Sequence, residues 1–441
     1  MIRLCGGRPA LVAVATAILA FVGMGVPRSA PAQQEDSTAT RRSIQRLEDA
    51  YALLEASPRI RAARSAAQAA LAVAPTAGTL DDPQVQLGLM NRQLPGLAPM
   101  SPLGMTQLQV MQMLPLTRRL RLARGAADAT ASAAAANAAA VEWSERLRVS
   151  EAFHDVWRLE QSMEIVAETK QVMEQLLTVA RAMYEVGDGR QADVLRARVQ
   201  VEQMDEELQR LASARVTAVA RLNGLLDRPA GAAVGRTVVA SRGRTIPPLD
   251  SVADLADRRR PELVAGAALV ESANSALAAT RLELWPDLQV GVAVGQRREG
   301  GATERMGSLM LGASLPVFAA RRQLAWRTER EAMLAMAQAD LQAMRATTRA
   351  EIEGALAELH KSQRLLALYD TSILPQAAAT VESSLLAYRA GDLPFMSLAE
   401  SQVALNEFRL EYVALQADEG RLWATLEALV AAALPAPGEG E

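Results

Sequence analysis

Two histidines, His154 and His360, and one cysteine, Cys5, are the whole supply of imidazole and thiol in this chain of 441 residues. Neither histidine has the second histidine four residues away that a helical zinc site needs, and the two are not equivalent in the internal repeat described below. Both are read as ordinary helix-face residues. The chain has no Gly-x-x-x-x-Gly-Lys-Ser/Thr phosphate loop and no Gly-x-Ser-x-Gly elbow. The expectation is a protein with no catalytic residue, no cofactor and no metal ligands, hence not an enzyme. Thioethers are more plentiful, with Met90, Met100, Met105, Met111, Met113, Met306 and Met310 clustered around two segments of alternating pattern. Thioethers suit Cu(I), but methionine more often fills apolar surface. That use is assigned here, with some of these side chains pointing into lipid. The remaining cluster is polar. Asp193 and Glu400 fall in the first turns of two helices, beside Arg196 and Ser397. Acids there compensate the helix dipole by about 0.3–1 kcal/mol each.

Those helices follow two segments that share a Tyr-x-x-Gly-Asp pattern. Met-Tyr-Glu-Val-Gly-Asp-Gly from Met183 answers Ala-Tyr-Arg-Ala-Gly-Asp-Leu from Ala387, so Tyr184/Tyr388, Gly187/Gly391 and Asp188/Asp392 stand 204 positions apart. The same offset carries through Val201/Leu405, Glu207/Glu411 and Leu222/Leu426. Upstream, Pro-Gln-Val-Gln-Leu-Gly-Leu (83–89) answers Pro-Asp-Leu-Gln-Val-Gly-Val (286–292), and Leu114-Pro115-Leu116 answers Leu315-Pro316-Val317. Three blocks in the same order describe a duplicated unit of about 200 residues, too long for a solenoid repeat.

Each unit carries two kinds of element. A helical stretch from Arg41 to about Ala74 leads into the first alternating segments. There, Val85, Leu87 and Leu89 face away from Gln84, Gln86 and Gly88, and Leu108, Val110 and Leu114 away from Gln107, Gln109, Met111 and Met113. The second unit repeats this with Leu288, Val290, Val292 and Val294 against Gln289, Gly291, Ala293 and Gly295, then Leu309, Leu311 and Leu315 against Ser308, Met310, Gly312 and Ser314. Apolar on one face and small or polar on the other, at about ten residues each, is the pattern of an outer-membrane barrel strand. Trp285 and Phe318 flank the second pair where a membrane interface would fall. A long helix follows each pair: 118–186, and 319–390 interrupted by Gly354 and Pro375. At about 1.5 Å per residue each is a rod on the order of 100 Å. Shorter helices at 190–226 and 393–433 carry seven-residue apolar spacing, so each unit ends in a coiled-coil hairpin.

The N-terminus reads as a secretory signal: Arg3 and Arg8, an apolar run from Leu11 to Val22, then Ala30-Pro31-Ala32. Cys5 precedes the apolar run, so cleavage leaves no thiol. No later stretch reads as long enough for a membrane-spanning helix, which needs roughly 20 apolar residues. The net charge is −3 before the leader's three arginines are removed, which argues against nucleic acid. Aromatics at 3% argue against an aromatic-lined cleft. The segmentation that follows is a signal peptide (1–32), a first repeat (33–226) with its strand pair at 83–115, a linker (227–257), a second repeat (258–433) with its strand pair at 286–316, and a tail (434–441).

Strand pair, long helix, Tyr-x-x-Gly tip and shorter helix, duplicated behind a signal, resemble the TolC-like outer-membrane efflux proteins. Val194-Leu195-x-Ala197 and Leu398-Ala399-x-Ser401-Gln402 after the tips are similar to that family's signature. Leu87-Gly-Leu-Met-Asn91, Met105 and Gln112-Met-Leu-Pro115 look like its heavy-metal-efflux branch. The resemblance implies an α+β membrane protein: a homotrimer with a 12-stranded β-barrel in outer-membrane lipid, continued by a periplasmic α-helical barrel. It implies a passive duct, opened by a periplasmic adaptor and an inner-membrane pump of the RND or a related type, exporting metal ions or drugs. Tyr184, Gly187, Asp188, Tyr388, Gly391 and Asp392 would meet the adaptor, and Asp193, Arg196, Ser397 and Glu400 would surround the periplasmic aperture, where carboxylate rings attract cations. The alternative is a secreted or periplasmic coiled-coil scaffold or adaptor without a membrane barrel.

Overall fold

The computed structural model describes residues 44–100, 104–239, 244–299, 302–315, 317–319 and 321–434. The signal peptide and the tail beyond 434 lie outside the described residues. Two short helices, α1 (Leu47–Leu54) and α2 (Pro58–Val73), stand where the sequence suggests one from Arg41 to about Ala74. The break falls at Glu55-Ala56-Ser57, because Pro58 has no N–H to continue a helix and is suited instead to opening one. Strand β1 (Gln84–Met90), a two-residue pair β2 (Arg92–Gln93) and β3 (Ala98–Pro99), and β4 (Met105–Pro115) follow. The first rod, α3, runs unbroken from Arg119 to Glu185, and α4 (Gln191–Leu225) returns along it.

The second unit opens with α5 (Leu249–Arg259) and α6 (Pro261–Arg281), then β5 (Asp287–Glu299) and β6 (Ala302–Ser314). Residues 261–284 are, by length and composition, apolar enough to cross a membrane, contrary to the expectation that no stretch after the leader is. Here they lie along the rods, with Thr130 and Ser272 hydroxyls 2.9 Å apart and room left at Gly266 for Leu341. The second rod is α7 (Gln323–Leu368), a single π turn (Tyr369–Ile373) and α8 (Leu374–Arg389), with α9 (Phe395–Val430) returning. Gly354 does not interrupt it. Pro375 does: its ring clashes with the carbonyl four residues back, and the widened turn makes room, with the Thr371 hydroxyl donating to the Ala367 carbonyl at 2.7 Å.

All four long strands form one antiparallel sheet in the order β1-β4-β5-β6, leaving β1 and β6 as edges. The register pairs Leu108 with Val294, Val110 with Val292, and Val292 with Leu309, so one face is continuous Val and Leu. Those side chains are exposed. The opposite face aligns Gln109 with Ala293 and Ser308, and Met111 with Gly291 and Met310. By this register Met90, Met105, Met111, Met113, Met306 and Met310 all lie on the glutamine face, and none of the six joins the Val and Leu face. That corrects the expectation that some of them point into lipid. Side chains alternate with a strict period of two, so strand parity decides the face.

Each unit builds an equivalent core where its short helices meet its rod. In the first, Ile44, Leu54 and Ile60 pack on Val149, Phe153, Val156 and Leu222. In the second, Val252 and Ala256 pack on Ile352, Leu356, Leu359 and Leu426. A third cluster joins the two hairpins at their far end.

Candidate functional site

That third cluster surrounds the tips. Both rods end in the same hydrogen-bonded turn. The Gly187 N–H donates to Tyr184 O at 3.1 Å and the Asp188 N–H to Met183 O at 2.9 Å. The Gly391 and Asp392 N–H groups make the same bonds to Tyr388 and Ala387, at 3.1 and 2.9 Å. This is a Schellman termination, which needs its glycine at positive φ. Gly187 has φ +89° and Gly391 φ +81°. Nothing crowds a Cβ at either position, so φ alone imposes glycine. Gly189 answers to a different constraint. A Cβ there would stand 2.9 Å from the Tyr184 nitrogen, whereas the second tip holds Leu393 at the equivalent place.

The tips then diverge. Tyr184 is 48% exposed and Tyr388 only 4%. Tyr388 meets Phe395 edge to face, with centroids 5.7 Å apart at 68°, and both pack with Met173, Leu176, Ala197, Leu398 and Ala399. The first tip has Gln191 where the second has Phe395. Tyr388 Oη is buried with no hydrogen-bond partner among the described residues. Burial, and then the Asp193 carboxylate, raise its phenol above the ordinary value. Asp193 lies 4.0 Å from Arg196, one turn along its own helix. Glu400 is exposed and makes no ion pair among the described residues, and the Ser397 carbonyl accepts from the Ser401 hydroxyl at 2.7 Å. Within one chain the structure thus joins Asp193 to Arg196, and Glu400 makes no ion pair with either among the described residues.

Sequence reading missed Phe395, whose role depends on the neighbouring hairpin, and misread His154. His154 is buried where α3 crosses α9, with Nδ1–H donating to Ser150 O at 2.8 Å. A Cβ on Gly420 would stand 2.1 Å from its Nε2, so the glycine makes room for the ring. Burial lowers its pKa first, opposed by the Ser150 bond, with Arg421 lowering it and Asp155 raising it. His360 is exposed, as expected of a helix-face residue.

Residues 50–228 match the model of the family described as outer membrane efflux protein. No curated protein sequence matches the chain. Among solved structures, the chain is similar to CusC, whose crystal structures concern folding and transmembrane channel formation (TM-score 0.76, 16% identity, covering 92% of this chain and 97% of that one). It is also similar to the outer membrane protein VceC of Vibrio cholerae (0.74, 17%, 88% and 97%) and to the open MtrE outer membrane channel of Neisseria gonorrhoeae (0.71, 16%, 88% and 89%). The chain thus has the family's sequence match over its first repeat and the channel fold throughout.

Proposed function

We propose that this chain is one subunit of a homotrimeric, passive outer-membrane duct of a tripartite efflux system, receiving metal ions or drugs from an inner-membrane pump through a periplasmic adaptor. The observation that carries the reading is the sheet. Its Val and Leu face is exposed, and no strand among the described residues pairs with the outer edge of β1 or β6. An open edge cannot persist in lipid, where unpaired N–H and C=O groups each cost several kcal/mol. Three copies would close a barrel of 12 strands, β1 of one chain pairing with β6 of the next. Residues 33–226 and 258–433 then act as two quasi-equivalent repeats joined by 227–257, and each trimer presents six hairpin tips.

Tyr184, Gly187 and Asp188, with Tyr388, Gly391 and Asp392, form the surface that meets the adaptor. Asp193, Arg196, Ser397 and Glu400 border the aperture. The packing of Tyr388 and Phe395 on Met173, Leu176 and Ala197 supports a closing contact there, since it ties the second tip to the first hairpin. Fractionation of cells followed by electrophoresis tests the reading. A trimer in the outer-membrane fraction that dissociates only on heating is expected, and a soluble monomer in the absence of detergent would overturn it.

A further inference from the structure

Where the sheet hands over to the rods, a groove of about 430 Å³ carries two unmatched charges of opposite sign. It lies between the short turn Leu282–Leu284, the end of β6 and the start of α7. Arg119 and Asp287 line it and satisfy each other at 2.8 Å, tying the head of α3 to β5. Arg322 and Glu283 line it too, and they are not paired with each other. Arg322, the residue before α7, lays its guanidinium over the Trp326 ring, 4.7 Å from the centroid. It is exposed and meets no carboxylate in an ion pair among the described residues. Glu283 has a buried Oε2 with no hydrogen-bond partner among the described residues. The surroundings are apolar: Trp285, Val317 and Phe318 line the same groove and are 64%, 77% and 74% exposed. Aromatic rings at the end of a lipid-facing sheet sit at the level of lipid headgroups. The first repeat lacks the set. At an offset of 203, Leu80, Asp82 and Ala123 stand where Glu283, Trp285 and Trp326 do, although Arg119 answers Arg322.

A positive and a negative group, each without a partner, in one groove beside exposed apolar surface suit a zwitterionic amphiphile. We propose that the groove holds a single phospholipid with a phosphoethanolamine headgroup, its phosphate on Arg322, its ammonium on Glu283 and its acyl chains against the exposed Val and Leu face. A guanidinium presents a planar fork to two phosphate oxygens. An ammonium has three N–H groups to donate, and the unpartnered Glu283 oxygen accepts one. A phosphoglycerol headgroup brings no ammonium to Glu283, and the quaternary nitrogen of phosphocholine has no N–H to give it. The proposal rests on the duct reading, which puts the sheet in lipid and this end of it at the periplasmic rim. To that reading it adds a preferred lipid at one site per chain.

Native mass spectrometry of the purified full-length protein, released from detergent after incubation with phosphatidylethanolamine, phosphatidylglycerol or phosphatidylcholine of the same acyl chains, tests it. Wild type should keep phosphatidylethanolamine in preference to the other two, at a single lipid per chain. Glu283→Gln should lower that retention by up to about five-fold, the scale of a half-exposed ion pair, and should not lower that of phosphatidylglycerol. Arg322→Gln should lower the retention of all three lipids. Arg345→Gln, at an exposed position roughly six turns further along α7, should change none. Equal retention of the three lipids by wild type, a preference for phosphatidylglycerol, or a preference that survives both groove substitutions would overturn the site. The trimer on a gel is scored separately: a wild-type trimer without the lipid preference refutes the groove alone, and a wild type that forms no trimer refutes the duct.

Discussion

The first hairpin, α3 with α4, is an unbroken rod whose tip tyrosine faces water. The second, α7 to α9, carries one π turn and tucks its tip tyrosine against the first hairpin. Both tips make the same turn from the same bonds, so the turn itself is set locally. Two differences between the repeats separate them: Phe395 stands against Gln191, and Pro375 against Gln171. A shared local motif therefore fixes where the chain reverses, and packing between hairpins fixes which reversal is anchored.

The largest test of this difference is Phe395→Ala. Loss of a fully buried aromatic should cost about 3–5 kcal/mol, lowering the urea midpoint, whereas Gln191→Ala should stay within about 0.5 kcal/mol. Next, Gly420→Ala drives a methyl into the His154 ring and should cost about 1–3 kcal/mol by overpacking. Val216, its counterpart in the first hairpin, is exposed, and Val216→Ala should leave the same midpoint unmoved. Gly187→Ala and Gly391→Ala should each cost about 1–2 kcal/mol, because both place a Cβ at positive φ. Equal losses would confirm that the turns are local, and a much larger loss at Gly391 would show that its packing contributes.

The smallest effect is a pH dependence confined to the first rod, since the second has Ala357 or Glu358 where His154 would fall at an offset of 203 or 204. Burial holds the folded His154 below its ordinary value near 6.5. The unfolded chain then binds the extra proton first, so stability is intact above about pH 6.5 and falls as pH drops through the lower folded value. His154→Asn should flatten the midpoint between about pH 7 and pH 5, and an unchanged slope would place the acid sensitivity elsewhere.

Much of this was legible in the sequence because it is short-range. The 204-residue offset located both tips, tip glycines need only their own φ, and strand alternation marked the two faces. What escaped depends on distant partners. His154 is buried because Gly420, far along the chain, makes room for its ring. Tyr388 is buried while Tyr184 is not because Met173 and Leu176 of the other hairpin cover it. The methionine face was half legible: parity with Gln107 and Gln109 was visible, but the alignment of Met111 with Gly291 and Met310 required the register between strands.

Conductance of the purified protein across a planar lipid bilayer tests most directly whether the anchored second tip holds the duct closed. A small wild-type conductance is expected, rising several-fold in Phe395→Ala and unchanged in Gln191→Ala. No conductance in any of the three, or an equal rise from both substitutions, would contradict it.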